Sequence, residues 1–127
     1  MKLRGFLISY QINRLSFAAA LFLLLSFPLF ATNWYVDKTV SSSGNGQSWA
    51  TAWKNFSNIN WSSVQPGDII NISGGNDSTL YYETLDIGDA GTTNNYITIR
   101  GAIDAGHNGK VIIDGQNTRS NCIVIEQ

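Results

Sequence analysis

The fold is decided by residues 66–125, which read PGDIINISGGNDSTLYYETLDIGDAGTTNNYITIRGAIDAGHNGKVIIDGQNTRSNCIVI. Short apolar pairs recur through this stretch, and each pair alternates with other residues as a strand with one buried face does. Every second pair recurs at a nearly constant interval along the chain. The pairs are Ile70/Ile72, Leu85/Ile87, Ile97/Ile99, Val111/Ile113 and Ile123/Ile125.

A repeat of this kind is typical of stacked coils, in which each coil buries its apolar residues against the next. The gaps between pairs carry glycine-rich turn signals, and none carries a helical pattern long enough for a crossover helix. The sequence therefore predicts an all-β fold of parallel strands stacked coil on coil. The predicted ladders are 70–72 over 97–99 over 123–125, and 85–87 over 111–113.

Positions 1–31 have the pattern of a secretory signal. Three basic residues precede an apolar run, positions 15–31, which ends at the small residue Ala31. An uncleaved membrane anchor is the alternative, but the run is at the lower limit for a spanning helix and Pro28 interrupts it. We expect cleavage after Ala31, no membrane span afterwards, and a location that is secreted or at the cell envelope.

Residues 32–127 are then enough for one domain, which we expect to be an N-terminal cap and the first coils. With the signal removed, the domain keeps five basic and nine acidic residues, so nothing in its charge favours nucleic acid. The single cysteine, Cys122, excludes an internal disulfide and a cysteine-based metal site. Because residues 123–127 end within a predicted strand, we expect the chain to be a piece of a longer protein, with downstream coils as its partner.

A cap is predicted ahead of the coils. Residues 33–37 have a strand pattern, and residues 48–59 carry aromatic and aliphatic residues at helical spacing, which predicts an amphipathic helix of about three turns. Such a helix would cover the apolar first rung of the stack. Trp49 and Trp53 could instead stack on sugars, but their helical spacing beside Phe56 favours a place in the core.

Several motifs resemble the opening coils of the right-handed parallel β-helix proteins of the pectin-lyase-like superfamily. They are PGDIINISGG at 66–75, YETL at 82–85, YITIRG at 96–101 and VIIDGQ at 111–116. The resemblance covers residues 33–127. It implies a right-handed parallel β-helix, or solenoid, truncated after its first coils and preceded by a capping strand and an amphipathic helix.

The same resemblance leaves two functions open, because the superfamily includes polysaccharide lyases, glycoside hydrolases and non-catalytic surface modules. In the first, the chain is a scaffold or binding module at the cell envelope with a polysaccharide as its partner. In the second, it is the N-terminal part of a lyase or hydrolase whose catalytic residues lie on later coils. We expect no catalytic residue, metal or cofactor within this chain; calcium is implied only for a longer protein.

Two side chains are weak candidates for ligand contact, Arg100 and Tyr82. In the predicted register Arg100 stacks between Ser73 and Glu126 on the outer face, where it would form a surface ion pair with Glu126. It could instead act as a catalytic base or bind a substrate carboxylate. Tyr82 follows Tyr81 at a predicted coil corner, where the two rings could either stack on a sugar or pack against the protein.

Two carboxylates complete the candidate set. The predicted ladder offsets Asp86 from Asp114 by about 7 Å along the strands, a spacing that a hydrolase pair could use. Aspartates next to turns are more often turn formers, and this interpretation is favoured for both. Asp104 and His107 could be two metal ligands, but a third ligand is missing and the segment is better interpreted as a tight turn.

Overall fold

A computed structural model describes residues 31–125, which form short strands and three short 3₁₀ helices. The predicted signal lies outside the described residues, apart from Ala31. Within residues 31–125, no helix has the length and apolar character needed to cross a membrane. The strands are β1 Asn33–Val36, β2 Ile69–Ile72, β3 Ser78–Tyr81, β4 Leu85–Ile87, β5 Thr98–Gly101, β6 Lys110–Ile113 and β7 Ile123–Ile125.

The strands form three parallel sheets, in the orders β1-β2-β5, β3-β6 and β4-β7. From β2 onward the chain passes through the first, second and third sheet in turn, and then through the same three again. The predicted all-β class and the parallel pairing of the strands are confirmed. The predicted strand at residues 33–37 is also present, as β1 at the edge of the first sheet.

The predicted ladders are wrong. Ile70 pairs with Ile99 rather than with Ile97, and Leu85 to Ile87 pair with 123–125 rather than with 111–113. The partner of β6 is β3, a strand that the apolar pattern does not mark. Ser73 therefore does not stack with Arg100, whose neighbour on β2 is Asn71.

The error has a physical origin in the unequal lengths of chain between paired strands. The interval between paired residues is shorter for β2 and β5 than for β3 and β6, and it is longest for β4 and β7, because the turns between strands differ in length. Strand β3 was missed because its buried residues are Thr79 and Tyr81 rather than an aliphatic pair. The inward parity of Ile97, Ile99 and Val111 is nevertheless correct, since all three pack against the core.

The predicted amphipathic helix at residues 48–59 is wrong. The segment contains the 3₁₀ helices Trp49–Thr51 and Phe56–Asn58, followed by a third at Trp61–Ser63. Between the first two, Trp53 is extended beside Val36: its N–H donates to Tyr35 O at 2.9 Å, and its carbonyl accepts from Asp37 N at 2.8 Å. These backbone groups would be used internally in an α-helix, so pairing with β1 excludes it.

Two aromatic residues and one aliphatic residue of this segment still form a lid on the core. We call it the aromatic lid and define it as Trp53, Phe56 and Ile59. All three are buried in one cluster with residues of β1, β2 and β4. Trp53 stacks on Trp34 with ring centroids 5.1 Å apart, and Phe56 stacks on Tyr81 at 4.7 Å. The prediction that Trp49 and Trp53 lie in the core is confirmed for Trp53 and wrong for Trp49, which is half-buried and lies outside the core cluster.

Burial decreases along the chain. Strands β1 and β2 contribute the fully buried Val36 and Ile70, whereas Ile123 and Ile125 of β7 are 52% and 67% exposed. A cavity of about 350 Å³ opens at this later end of the sheets. Its apolar lining includes Ile87, Ile97, Ile99 and Ile125. The described residues therefore have a closed, well-packed first end and an open apolar second end.

Candidate functional site

Arg100 lies on the outer face of the first sheet, where its side chain is held by asparagine. Its Nε donates to Asn71 Oδ1 at 2.8 Å, and Asn71 Nδ2 donates to Asn33 Oδ1 at 3.2 Å and to Trp34 O at 3.3 Å. This polar row crosses three strands and fixes the guanidinium. The predicted partner Glu126 lies outside the described residues. The ladder from which this ion pair was predicted is wrong, because residues 123–125 pair with β4 in another sheet and not with β5.

Asp86 and Asp114 are not brought together as a pair. Asp86 lies on β4 opposite Val124 of β7, whereas Asp114 follows β6 in a different sheet. Asp114 Oδ1 accepts from Gln116 N at 2.7 Å, and Gln116 has a positive φ of 54°. The interpretation as a turn former is confirmed for Asp114 and wrong for Asp86, which lies within strand β4. The offset predicted from the 85–87/111–113 ladder is also wrong.

Tyr81 and Tyr82 separate at the end of β3. Tyr81 is fully buried, and its hydroxyl donates to Ser73 O at 2.8 Å; burial raises the pKa of this phenol well above its ordinary value. Tyr82 is 46% exposed, and Lys38 Nζ lies 5.2 Å from the centre of its ring. Of the two rings at this corner, Tyr82 is the one available to a ligand.

Tyr82 borders a surface groove that we call the Tyr82 groove. It consists of two adjoining depressions, of about 250 and 410 Å³. Their linings meet at the Asn55–Phe56 and Glu83–Thr84 peptide bonds, where Phe56 N donates to Glu83 Oε2 at 2.8 Å. The first is lined by Lys38, Asn55, Tyr82 and Glu83, and the second by Phe56, Ser57, Ile59, Trp61, Thr84, Asp86 and Gly88.

The groove combines aromatic surface with hydrogen-bonding side chains. Tyr82 contributes an aromatic ring to one depression and the half-buried Trp61 contributes one to the other. The Trp61 ring lies so close to Gly88 that a Cβ there would approach it to 2.8 Å, so a side chain at 88 would displace the indole. Asp86 and Asn55 are both exposed, and the Asn55 side chain also accepts from Asn58 N in a capping box.

Sequence reasoning found Tyr82 and Asp86 in this groove but missed Lys38, Asn55, Glu83 and Trp61. These residues come from three separate segments that no periodicity connects. The one available signal was the Glu83 carboxylate directly after the Tyr81-Tyr82 pair, at a predicted coil corner.

A second polar cluster, also missed, joins Asp37, Ser73 and His107. His107 Nδ1 lies 2.9 Å from Ser73 Oγ and 3.3 Å from Asp37 Oδ2. Asp37 Oδ1 accepts from Thr39 N at 2.9 Å and from Thr39 Oγ1 at 2.7 Å. The cluster fastens the turn that carries His107 to the ends of β1 and β2.

This cluster is not a nucleophilic triad, although it contains the three residue types of one. A triad needs the serine on one ring nitrogen, which takes the hydroxyl proton, and the carboxylate on the other, where it orients the ring and stabilises the imidazolium. Here both contact Nδ1. Ser73 is also only 1% exposed, so its hydroxyl cannot reach a substrate. The arrangement holds two segments together.

Asp104 and His107 both contact Trp49 rather than a shared ion position. Trp49 Nε1 donates to Asp104 Oδ2 at 2.8 Å, and the Trp49 and His107 rings stack with centroids 3.8 Å apart. Within residues 31–125 no group of three His, Cys, Asp or Glu side chains is arranged to hold a metal ion. The predicted turn at residues 104–109 is present.

Asp68 forms a buried site of a different kind, just before β2. Its carboxylate is 3% exposed and accepts from Trp34 Nε1 at 2.8 Å, from Gln65 N at 2.9 Å and from Thr32 N at 2.8 Å. Burial raises the pKa of this carboxyl, but the three donors together outweigh burial and hold the pKa below its usual value. Asp68 thus accepts hydrogen bonds from two backbone amides and one indole N–H.

The chain was compared with known proteins. A scan against protein-family models finds no match, and a search of curated proteins finds no sequence with significant similarity.

Proposed function

We propose that the chain forms the first coils of a right-handed parallel β-helix of the pectin-lyase-like type. In this proposal the chain is exported and binds polysaccharide through the Tyr82 groove, without catalysing a reaction. The order of the strands supports the fold, because the chain passes twice through three parallel sheets in the same sequence. Unequal coil lengths are compatible with it, since loops between coils of a solenoid vary on one face.

The Tyr82 groove is the observation that carries the binding function. Sugar rings present an apolar face and a rim of hydroxyl groups, so they are bound by aromatic rings flanked by hydrogen-bonding side chains. Tyr82 and Trp61 supply the aromatic rings, while Asn55, Thr84 and Asp86 supply donors and acceptors. The two adjoining depressions suit a chain of sugars better than a compact ligand.

Charge in the groove favours a neutral polysaccharide over a uronic acid polymer. Glu83 and Asp86 contribute two carboxylates, and the single cationic side chain among the lining residues is Lys38. Lys38 Nζ already donates to Leu80 O. A polyanion would therefore meet two carboxylates against one cation, a balance of charge that opposes its binding.

Binding can be tested with the exported protein by affinity electrophoresis in gels containing xylan, a β-glucan, polygalacturonate or alginate. We expect retardation by a neutral polysaccharide, and about 10-fold weaker binding in Tyr82→Ala, which corresponds to ~1.4 kcal/mol. Tyr96→Ala is the matched control, because Tyr96 is more exposed than Tyr82 and lies outside the groove. Equal retardation of both variants would refute binding through Tyr82.

The enzyme alternative is tested on the same polymers, with and without calcium, by following unsaturated products and reducing ends. We expect no turnover by this chain. Turnover that disappears in Asp86→Ala or Arg100→Ala would overturn the scaffold and binding proposal in favour of a lyase or hydrolase.

A further inference from the structure

Thr32 is fixed by backbone hydrogen bonds at the start of the described structure. Its N–H donates to Asp68 Oδ1 at 2.8 Å, and its carbonyl accepts from Ile69 N at 2.9 Å. Both Thr32 and the preceding Ala31 are exposed. The backbone nitrogen of this one residue is thereby held against the Asp68 carboxylate, while the residue before it is free in solvent.

The Asp68 carboxylate is a buried negative charge with only neutral donors. Trp34 Nε1 and two backbone amides supply its hydrogen bonds. Within residues 31–125, no lysine, arginine or histidine side chain forms an ion pair with it. An opposite charge close to a carboxylate favours its ionised form. Among residues 31–125 no cationic side chain provides this charge, and a cationic donor at the position of Thr32 N would.

We propose that proteolytic processing at the Ala31–Thr32 bond supplies the missing cation, as the new amino terminus of the chain. An endopeptidase of the export machinery hydrolyses this bond with one water molecule. The C–N bond breaks, the carboxylate remains on Ala31, and the Thr32 nitrogen becomes an α-ammonium group 2.8 Å from Asp68 Oδ1. Asp68 is thus a receptor for the processed amino terminus, a role that is independent of the Tyr82 groove.

The receptor discriminates between neighbouring cleavage positions. Consecutive Cα atoms are about 3.8 Å apart, so a chain that begins one residue earlier carries its ammonium beyond contact with Asp68 and leaves a neutral amide at Thr32. Asp68 is the titratable group in contact with Thr32 N. Arg100, on the neighbouring strand β5, donates to Asn71 instead. The ion pair is specific for a chain that begins at Thr32.

The ion pair also sets a pH dependence. A carboxylate partner raises the pKa of the α-ammonium above the ordinary value of about 7.7–8.0. Stability from this pair is fully present below the unfolded-state pKa of the amine, and it is lost as the pH rises through the higher folded-state pKa. A chain that begins at Ala31 has no such loss between about pH 8 and pH 10.

The first experiment expresses the full chain in an exporting host and determines the mass and the first residue of the product. We expect Thr32 as the first residue; a product that retains Ala31 or begins after Thr32 would overturn the proposal. The second measures the pKa of the α-amine from the pH dependence of its acetylation rate. A value within the ordinary range of about 7.7–8.0 would also overturn it.

The third experiment compares thermal unfolding of the chain beginning at Thr32 with a matched chain beginning at Ala31, each with and without Asp68→Asn. At pH 6.5 we expect the Thr32 chain to melt at least about 4 °C higher, and the difference to disappear in the Asp68→Asn pair. Equal melting temperatures, or a difference that persists in Asp68→Asn, would contradict the ion pair. If the Asp68→Asn chains do not fold, the pKa measurement decides.

Discussion

At the scale of single residues, buried polar side chains fasten separate segments of the chain to one another. Asp68 binds the start of β1 through Thr32 and Trp34, and Asp37 and Ser73 bind the turn that carries His107. Each of these side chains accepts hydrogen bonds from donors that have no partner in the pairing between strands. Loss of one acceptor therefore exposes several donors at once to an apolar surrounding.

Asp68→Asn should destabilise the protein and remove part of its acid sensitivity. The lowered pKa of Asp68 means that its contribution is fully present above the unfolded-state value of about 3.9 and is lost as the pH falls through the lower folded-state value. We expect a loss of about 1–3 kcal/mol at pH 7 and a smaller loss at pH 2. Urea unfolding of wild type and variant at both pH values measures this.

Asp77→Asn is the control for this prediction, because Asp77 is exposed and lies outside the Asp68 site. It should change the free energy of unfolding by no more than about 0.5 kcal/mol at either pH. The prediction is contradicted if wild type and Asp68→Asn lose the same free energy of unfolding between pH 7 and pH 2. Asp68 would then not be the group responsible for the acid sensitivity.

At the scale of elements, the two turns after β2 and before β6 are in direct backbone contact. Gly74 N donates to His107 O and Gly109 N donates to Gly75 O, both at 2.8 Å. A Cβ on Gly74 would lie 1.8 Å from Gly109 O, and a Cβ on Gly109 would lie 2.5 Å from Gly74 O. The close approach of these two turns therefore requires glycine on both sides.

Gly74→Ala should separate these turns and cost about 1–3 kcal/mol or more, because the atom it meets is a backbone oxygen that cannot turn aside. Gly101→Ala is the matched control, since a Cβ there meets only Val111 Cγ2 at an ordinary 3.7 Å. Chemical unfolding compares the two. Equal stabilities would mean that the contact between Gly74 and Gly109 can relax at little cost.

The strands and 3₁₀ helices also show which parts of the fold could be predicted from the sequence and which could not. Parallel pairing and the inward parity of residues such as Ile99 followed from local alternation and the absence of crossover helices. The register did not, because it depends on turn lengths, which differ from one sheet to the next. The helix at 48–59 failed because Trp53 pairs with Val36, a partner distant in sequence. For the same reason, Tyr82 was identified but the other side of its groove was not.

At the scale of the whole molecule, packing is concentrated at one end. The aromatic lid closes the side next to β1, whereas β5, β6 and β7 each form the last strand of a parallel sheet. Ile112, Ile123 and Ile125 are exposed on these strands. Unpaired strand edges combined with exposed aliphatic side chains promote pairing with other chains.

We expect a chain limited to residues 32–127 to self-associate through this end at micromolar concentrations. Ile125→Lys should shift the species seen in size-exclusion chromatography with light scattering toward monomer, because it places a charge beside the apolar cavity. Ile103→Lys is the control, since Ile103 is similarly exposed but lies in a turn outside the strands. A wild type that stays monomeric at high concentration would contradict the prediction.

The aromatic lid also bears on the direction in which the molecule can assemble. Its residues precede six of the seven strands along the chain. A polypeptide is synthesised amino end first, so β1 and the aromatic lid are the first parts free to meet. Strands β2, β5, β6 and β7 then each pair with a strand that precedes them in the chain, whereas β3 and β4 begin new sheets. Synthesis in this order lets the three sheets extend from strands that are already in place.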